Sequence, residues 1–100
     1  MWHSGGLPRD IRCDPRFVQE LATLIPEVGA ADDFQRGAEW VLARNPEAGT
    51  QVSEFVWFLP AARYWKEGDE ASWSTLVIYY GFDERRVYLF SIQGSKVDTN

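Results

Sequence analysis

Residues 74–93, STLVIYYGFDERRVYLFSIQ, restrict the fold more than any other stretch of the chain. Two runs of apolar, β-branched and aromatic residues flank the charged tetrad DERR (83–86), which reads as a β-hairpin. Pairing Phe82 with Val87 sets the register. One face then carries Val77, Tyr79, Tyr88, Phe90 and Ile92, with Gly81 leaving room for Tyr88. The other carries Leu76, Ile78, Tyr80 and Phe82 with Val87, Leu89, Ser91 and Gln93. A slip of one residue would exchange the two sets. Both faces are largely apolar, so each must be covered or must bind something. The first is apolar along both strands and is assigned to packing against helices. The second turns polar at Ser91 and Gln93 and is assigned to a partly open groove.

The helices needed for that packing precede the hairpin. Asp14 stands before Pro15, a capping residue followed by proline at the first helical position. Phe17, Val18, Leu21, Leu24 and Ile25 recur at helical spacing, and Pro26 stops the run, so a helix is expected over 15–25. The stretch EVGAADD reads as a linker whose Asp32 and Asp33 favour the start of a second helix. Phe34, Ala38, Val41 and Leu42 form its apolar stripe, with Trp40 on the border. Gly37 weakens that helix and suggests close approach to the first. Asn45-Pro46 ends it. DIRC (10–13) reads as a short edge strand. Beyond residue 51, an extended segment (52–59) and a strand (62–66) are interrupted by Pro60. EGDEAS (67–72) reads as an acidic loop. The expected architecture is α+β, with two N-terminal helices packed on one face of a small antiparallel sheet. A single domain over 1–100 is expected, with 1–10 a flexible arm and 94–100 a polar tail.

Fifteen acids against ten bases give a net charge of −5, a poor balance for a nucleic-acid binder. With 45% apolar residues the chain is globular. No run approaches the roughly 18 apolar residues of a membrane span. MWHSGGLPRD lacks the order of a signal peptide, and the lone Cys13 cannot form an internal disulfide. A cytoplasmic protein is expected. No His, Cys or carboxylate group shows metal-ligand spacing, so neither metal nor cofactor is expected.

The segments EWVLARNPEAGTQV, AARYWK and STLVIYYGFDERRVYLFSI, in this order of elements, resemble the RelE/ParE superfamily of toxins from type II toxin–antitoxin systems. The resemblance is greatest to its HigB-like branch and covers residues 12–96. It implies a RelE-like fold and a toxin silenced by a cognate antitoxin protein. It also implies metal-independent cleavage of mRNA on the ribosome, as in many members; a smaller branch poisons DNA gyrase. In the cleaving members, basic groups on an open sheet face hold the phosphate backbone. By position, Arg63 and Lys66 match the basic strand of that family, and Lys96 stands in for a lysine near the C-terminal end. These three are the candidate catalytic residues. Tyr64, Leu76, Ile78, Tyr80 and Gln93 are the candidate RNA or partner groove. The sequence departs from the pattern at Tyr64 and Trp65, which replace a lysine and a leucine. It departs again at Leu76, where many nucleases carry arginine, and at Gln93, in place of a tyrosine.

Each candidate has a plainer reading. Arg63 and Lys66 read equally as solvated edge charges. Arg85 and Arg86 fit a polar turn beside Asp83 and Glu84. Trp57, Trp65, Trp73, Tyr64 and Tyr80 offer stacking surfaces, or fill a core or a protein interface. Three functions therefore stay open: a ribosome-dependent mRNA endonuclease, a toxin acting on a protein target such as gyrase, and a catalytically attenuated protein-binding module on the same fold.

Overall fold

The computed structural model describes residues 8–64 and 73–96, with 61–64, 73–75, 95 and 96 as backbone only. The elements run β1 (Asp10–Cys13), α1 (Pro15–Leu24), α2 (Val28–Arg44), a 3-10 turn (Pro46–Ala48), β2 (Thr50–Gln51), β3 (Trp57–Tyr64), β4 (Trp73–Phe82) and β5 (Arg86–Lys96). One sheet has the order β1-β5-β4-β3-β2. It is mixed: β1 lies parallel to β5, and the other pairs are antiparallel. The helical pair carries the chain from β1 at one edge of the sheet to β2 at the other.

Local chemistry accounts for most boundaries. The Asp14 side chain accepts from the Arg16 N–H at 2.8 Å and caps α1, with Pro15 at the first helical position. α1 ends one residue earlier than its apolar spacing predicts, with Ile25 as cap. α2 starts at Val28, inside the stretch read as a linker, and Asp32 and Asp33 lie within it. Ala31, Phe34 and Ala38 pack against the core, and that burial outweighs the poor helix propensity of Gly29. Asn45 closes α2, as Asn45-Pro46 predicts. β3 is one strand where the sequence suggested two pieces. Its register shifts around Pro60 and Ala62, so the proline is accommodated at an irregularity. β5 continues to Lys96, into the stretch read as a tail.

The core joins Phe17, Leu21 and Ile25 from the α1 region and Leu42 from α2 to Leu76, Ile78, Tyr80, Val87, Leu89 and Ile92 of the sheet. This reverses the expected assignment of the hairpin faces. Leu76, Ile78 and Tyr80 have 0% exposure beneath the helices and line no open groove. Val77 and Tyr79 belong to the helix-free face. The hairpin register itself is the expected one at its tip: Phe82 pairs with Val87, Gly81 with Tyr88 and Tyr80 with Leu89. It then breaks. Tyr79 pairs with Ser91, so Phe90 is the extra residue of a β-bulge. The bulge moves Ile92 onto the face of Val87 and Leu89, opposite Ile78.

Glu20 of α1 makes the bulge affordable. Its Oε1 accepts from the Ser91 hydroxyl at 2.6 Å and from the Ile92 N–H at 3.0 Å. Ser91 is thus a buried residue with a partner, and its polarity does not mark a solvent face. The space above Gly81 goes to Phe90, whose ring atoms would lie 3.1 Å from an added Cβ, and to the Phe55 carbonyl.

Candidate functional site

Two regions bear on function: the end of the sheet where β3, β4 and β5 meet, and the face that no helix covers.

At the sheet end, Tyr64 pairs with Trp73, and Trp73 pairs with Lys96. One backbone row therefore carries Tyr64, Trp73 and Lys96 across three strands. Arg63 is next to this row, within the irregular stretch between Ala62 and Tyr64. Lys66 lies outside the described residues, as do Trp65 and the acidic stretch 67–72. Two of the three candidate catalytic positions, Arg63 and Lys96, thus have their backbone at the same end of the sheet, on either side of β4.

The helix-free face is built by alternation along β5, β4 and β3. Val77 pairs with Gln93 and Pro60, and Tyr79 pairs with Phe58. The Tyr79 and Phe58 rings lie 6.4 Å apart. Phe90 sits at the bulge and is partly exposed. The edge strand adds Arg12 opposite Tyr88. The result is an aromatic band with a cation at one edge, and Gln93 is exposed upon it. Of the five candidate groove residues, Gln93 alone is on this face with its side chain described. Leu76, Ile78 and Tyr80 belong to the core, and Tyr64 belongs to the sheet-end row.

Sequence reasoning missed Phe58, Tyr79, Phe90 and Arg12 as surface residues. Arg12 carried a usable signal, since alternation in DIRC sets it opposite the core-packed Ile11 and Cys13. The signal for Phe90 was absent, because a bulge of this kind leaves no fixed residue pattern.

Several other candidates have structural roles. Trp57 and Tyr80 fill the core side near Phe82, with Trp57 and Phe82 centroids 5.2 Å apart. The Asp83 carboxylate accepts from the N–H groups of Arg85 and Arg86, both at 2.8 Å, and from the Tyr88 hydroxyl at 3.1 Å. These donors hold Asp83 below the ordinary carboxylate range, the two backbone N–H groups first. The tetrad DERR is therefore a turn that satisfies itself. Cys13 is half-buried, and burial pushes its thiol up to about 11, with the neighbouring Glu39 adding to the shift. A thiol raised this far is mostly protonated near neutral pH. Among the described residues, no group of three or more His, Cys, Asp or Glu side chains could hold a metal ion. Among them, too, no helix is long and apolar enough to cross a membrane.

These features define a small α+β protein with two helices on one sheet face and, on the other, an aromatic face that none of the described helices covers. The same fold occurs in a solved chain of the toxin–antitoxin complex RelBE2 from Mycobacterium tuberculosis. The TM-score is 0.58 at 16% sequence identity, over 88% of this chain and 92% of that one. No protein-family model matches the sequence, and a search of curated proteins gives no match.

Proposed function

We propose that this protein is the toxin of a type II toxin–antitoxin pair, of the HigB-like kind, and that it cleaves mRNA on the ribosome in the cytoplasm. The observation that carries the reading is the sheet-end row of Tyr64, Trp73 and Lys96 with Arg63 beside it. It sets cations and aromatic residues at adjoining backbone positions, the two residue types that hold a single strand by phosphate and by base. The resemblance of the motifs and the fold shared with a chain of the RelBE2 complex support it. In this reading the RNA 2′-hydroxyl gives up its proton to solvent and attacks the adjacent phosphorus; the bond to the 5′-oxygen breaks and that oxygen takes up a proton, leaving a 2′,3′-cyclic phosphate and a 5′-hydroxyl end. Arg63, Lys66 and Lys96 offset the charge that builds on the phosphoryl oxygens. No metal is required.

The partner is an antitoxin that covers the sheet. β2 pairs only with Phe58 and Trp57, so the outer edge of β3 beyond Phe58 has no strand beside it among the described residues. An extended antitoxin segment would add there.

The test is induction of the protein alone, with growth and RNA ends recorded. Growth arrest with new mRNA ends is expected, and Arg63→Ala with Lys66→Ala should relieve both. Arrest that persists in that double variant would place the chemistry elsewhere.

A second reading has its own observation. Leu76, at the position where the resemblance leads one to expect arginine, is sealed in the core, and the chain carries a net −5. A protein-directed toxin, or a binding module without catalysis, fits those two facts. Arrest with intact mRNA and inhibited gyrase supercoiling would select the former. Harmless expression of folded protein would select the latter.

A further inference from the structure

The outer face of α2 carries an arrangement that no contact among the described residues explains. Ala30, Asp33, Gly37, Trp40 and Arg44 recur at alternating spacings of three and four, which sets them in one stripe along the helix. Trp40 is 60% exposed, and Val41 beside it is partly exposed. Gly37 lies in the helix interior, where glycine costs about 1 kcal/mol relative to alanine. Yet an added Cβ there would meet nothing within 4 Å. Among the described residues no contact requires the glycine. What it leaves is a recess, continuous with a groove of about 420 Å³ floored by Phe34, Ala38, Leu59 and Pro60.

We propose that this stripe pairs with the same stripe of a second copy of the chain, the two α2 helices antiparallel about a two-fold axis. The helix's own sequence argues for that occupant. With the axis between Ala38 and Glu39, Trp40 of each copy faces Gly37 of the other. In the same register Asp33 of each copy faces Arg44 of the other. Knob meets recess twice, and acid meets base twice, as an isologous contact demands. Arg44 is already placed for this role. Its guanidinium lies 4.3 Å from the centre of the Trp40 ring and donates to the Trp40 carbonyl at 3.1 Å. On pairing, it closes over the inserted indole and reaches the opposite carboxylate. The glycine lets the helices approach to the 8–10 Å typical of packed pairs. An exposed Trp flanked by Arg also has the composition of an interface centre. This contact is independent of the proposed toxin activity.

The test is sedimentation equilibrium of the full chain over a concentration series. The expected mass is twice the 11.5 kDa of one chain at the upper end. Gly37→Lys should give a monomer with an unchanged circular dichroism spectrum, because the position is open and lysine favours helix. Asp33→Arg or Arg44→Asp alone should weaken association about tenfold, and the two together should restore it. A chain that stays monomeric throughout overturns the proposal. So does a dimer indifferent to Gly37→Lys, or a charge exchange that fails to rescue.

Discussion

The Tyr80 hydroxyl donates to the Pro46 carbonyl at 2.6 Å, joining the middle of the sheet to the turn that follows α2. The same oxygen accepts from the Gly49 N–H at 3.1 Å. Tyr80 is wholly buried, and burial raises its hydroxyl above the ordinary range. It therefore stays protonated and able to donate. Tyr80→Phe keeps the ring and strands both backbone groups. A loss of about 1–3 kcal/mol is expected, read as a lower urea midpoint with unchanged slope.

Gly49 should tolerate no side chain. Its backbone angles are ordinary for any residue, with φ −89°. The constraint is space: a Cβ would collide with the Phe58 carbonyl and lie 2.6 Å from the Tyr80 oxygen. Gly49→Ala should destabilise by about 1–3 kcal/mol, as overpacking does. Gly37→Ala is the matched control. Among the described residues it meets nothing within 4 Å, and its monomer should gain up to about 1 kcal/mol. Thermal melts of both variants check the contrast.

Leu76 separates the two assignments of the hairpin faces. As a core residue, Leu76→Ala should cost about 2–5 kcal/mol. A groove residue would change stability little. Denaturant unfolding of this variant decides between core and groove.

The parts legible in the sequence are those set by near neighbours. Asp14-Pro15 starts α1, Asn45-Pro46 ends α2, and Phe82 meets Val87 across the turn, each through contacts a few residues long. The faces of the hairpin were not legible, because they depend on Glu20 reaching Ser91, 71 residues away. Without that carboxylate, Ser91 reads as solvent-facing and the bulge at Phe90 has no cause. The sheet-end site was half legible. Arg63 and Lys96 were identifiable by type and position, but the row of Tyr64, Trp73 and Lys96 follows from register shifts in β3 and β4. Trp40 and Gly37 were noted singly. Their relation emerges only when helix ends and exposure are known.

Cys13 should react slowly with alkylating reagents near neutral pH. A thiol raised to about 11 is almost all protonated there. Its Sγ lies 3.8 Å from a Glu39 carboxylate oxygen. Glu39→Gln removes the charge that opposes the thiolate, so alkylation should quicken. Burial is the larger cause, so the rate should remain below that of an unfolded control. A rate equal to that control would show that Cys13 is not buried as described.

Glu20 should set an acid limb of stability. The Ser91 hydroxyl holds its carboxyl below the ordinary glutamate value, with smaller help from the Ile92 N–H and from Arg16 at 3.2 Å. A carboxyl lowered in the folded state stabilises the fold fully above its unfolded pKa, about 4.3. That contribution fades as pH falls through the lower folded value. Glu20→Gln can still accept from Ser91 and Ile92 but cannot titrate. The variant should lose part of the stability seen at neutral pH, by about 1 kcal/mol. It should also close the gap to the parent below pH 4 or so. Urea midpoints measured from neutral to acid pH give the comparison. A constant difference across that range would mean that the Glu20 carboxylate does not support the bulge through its charge.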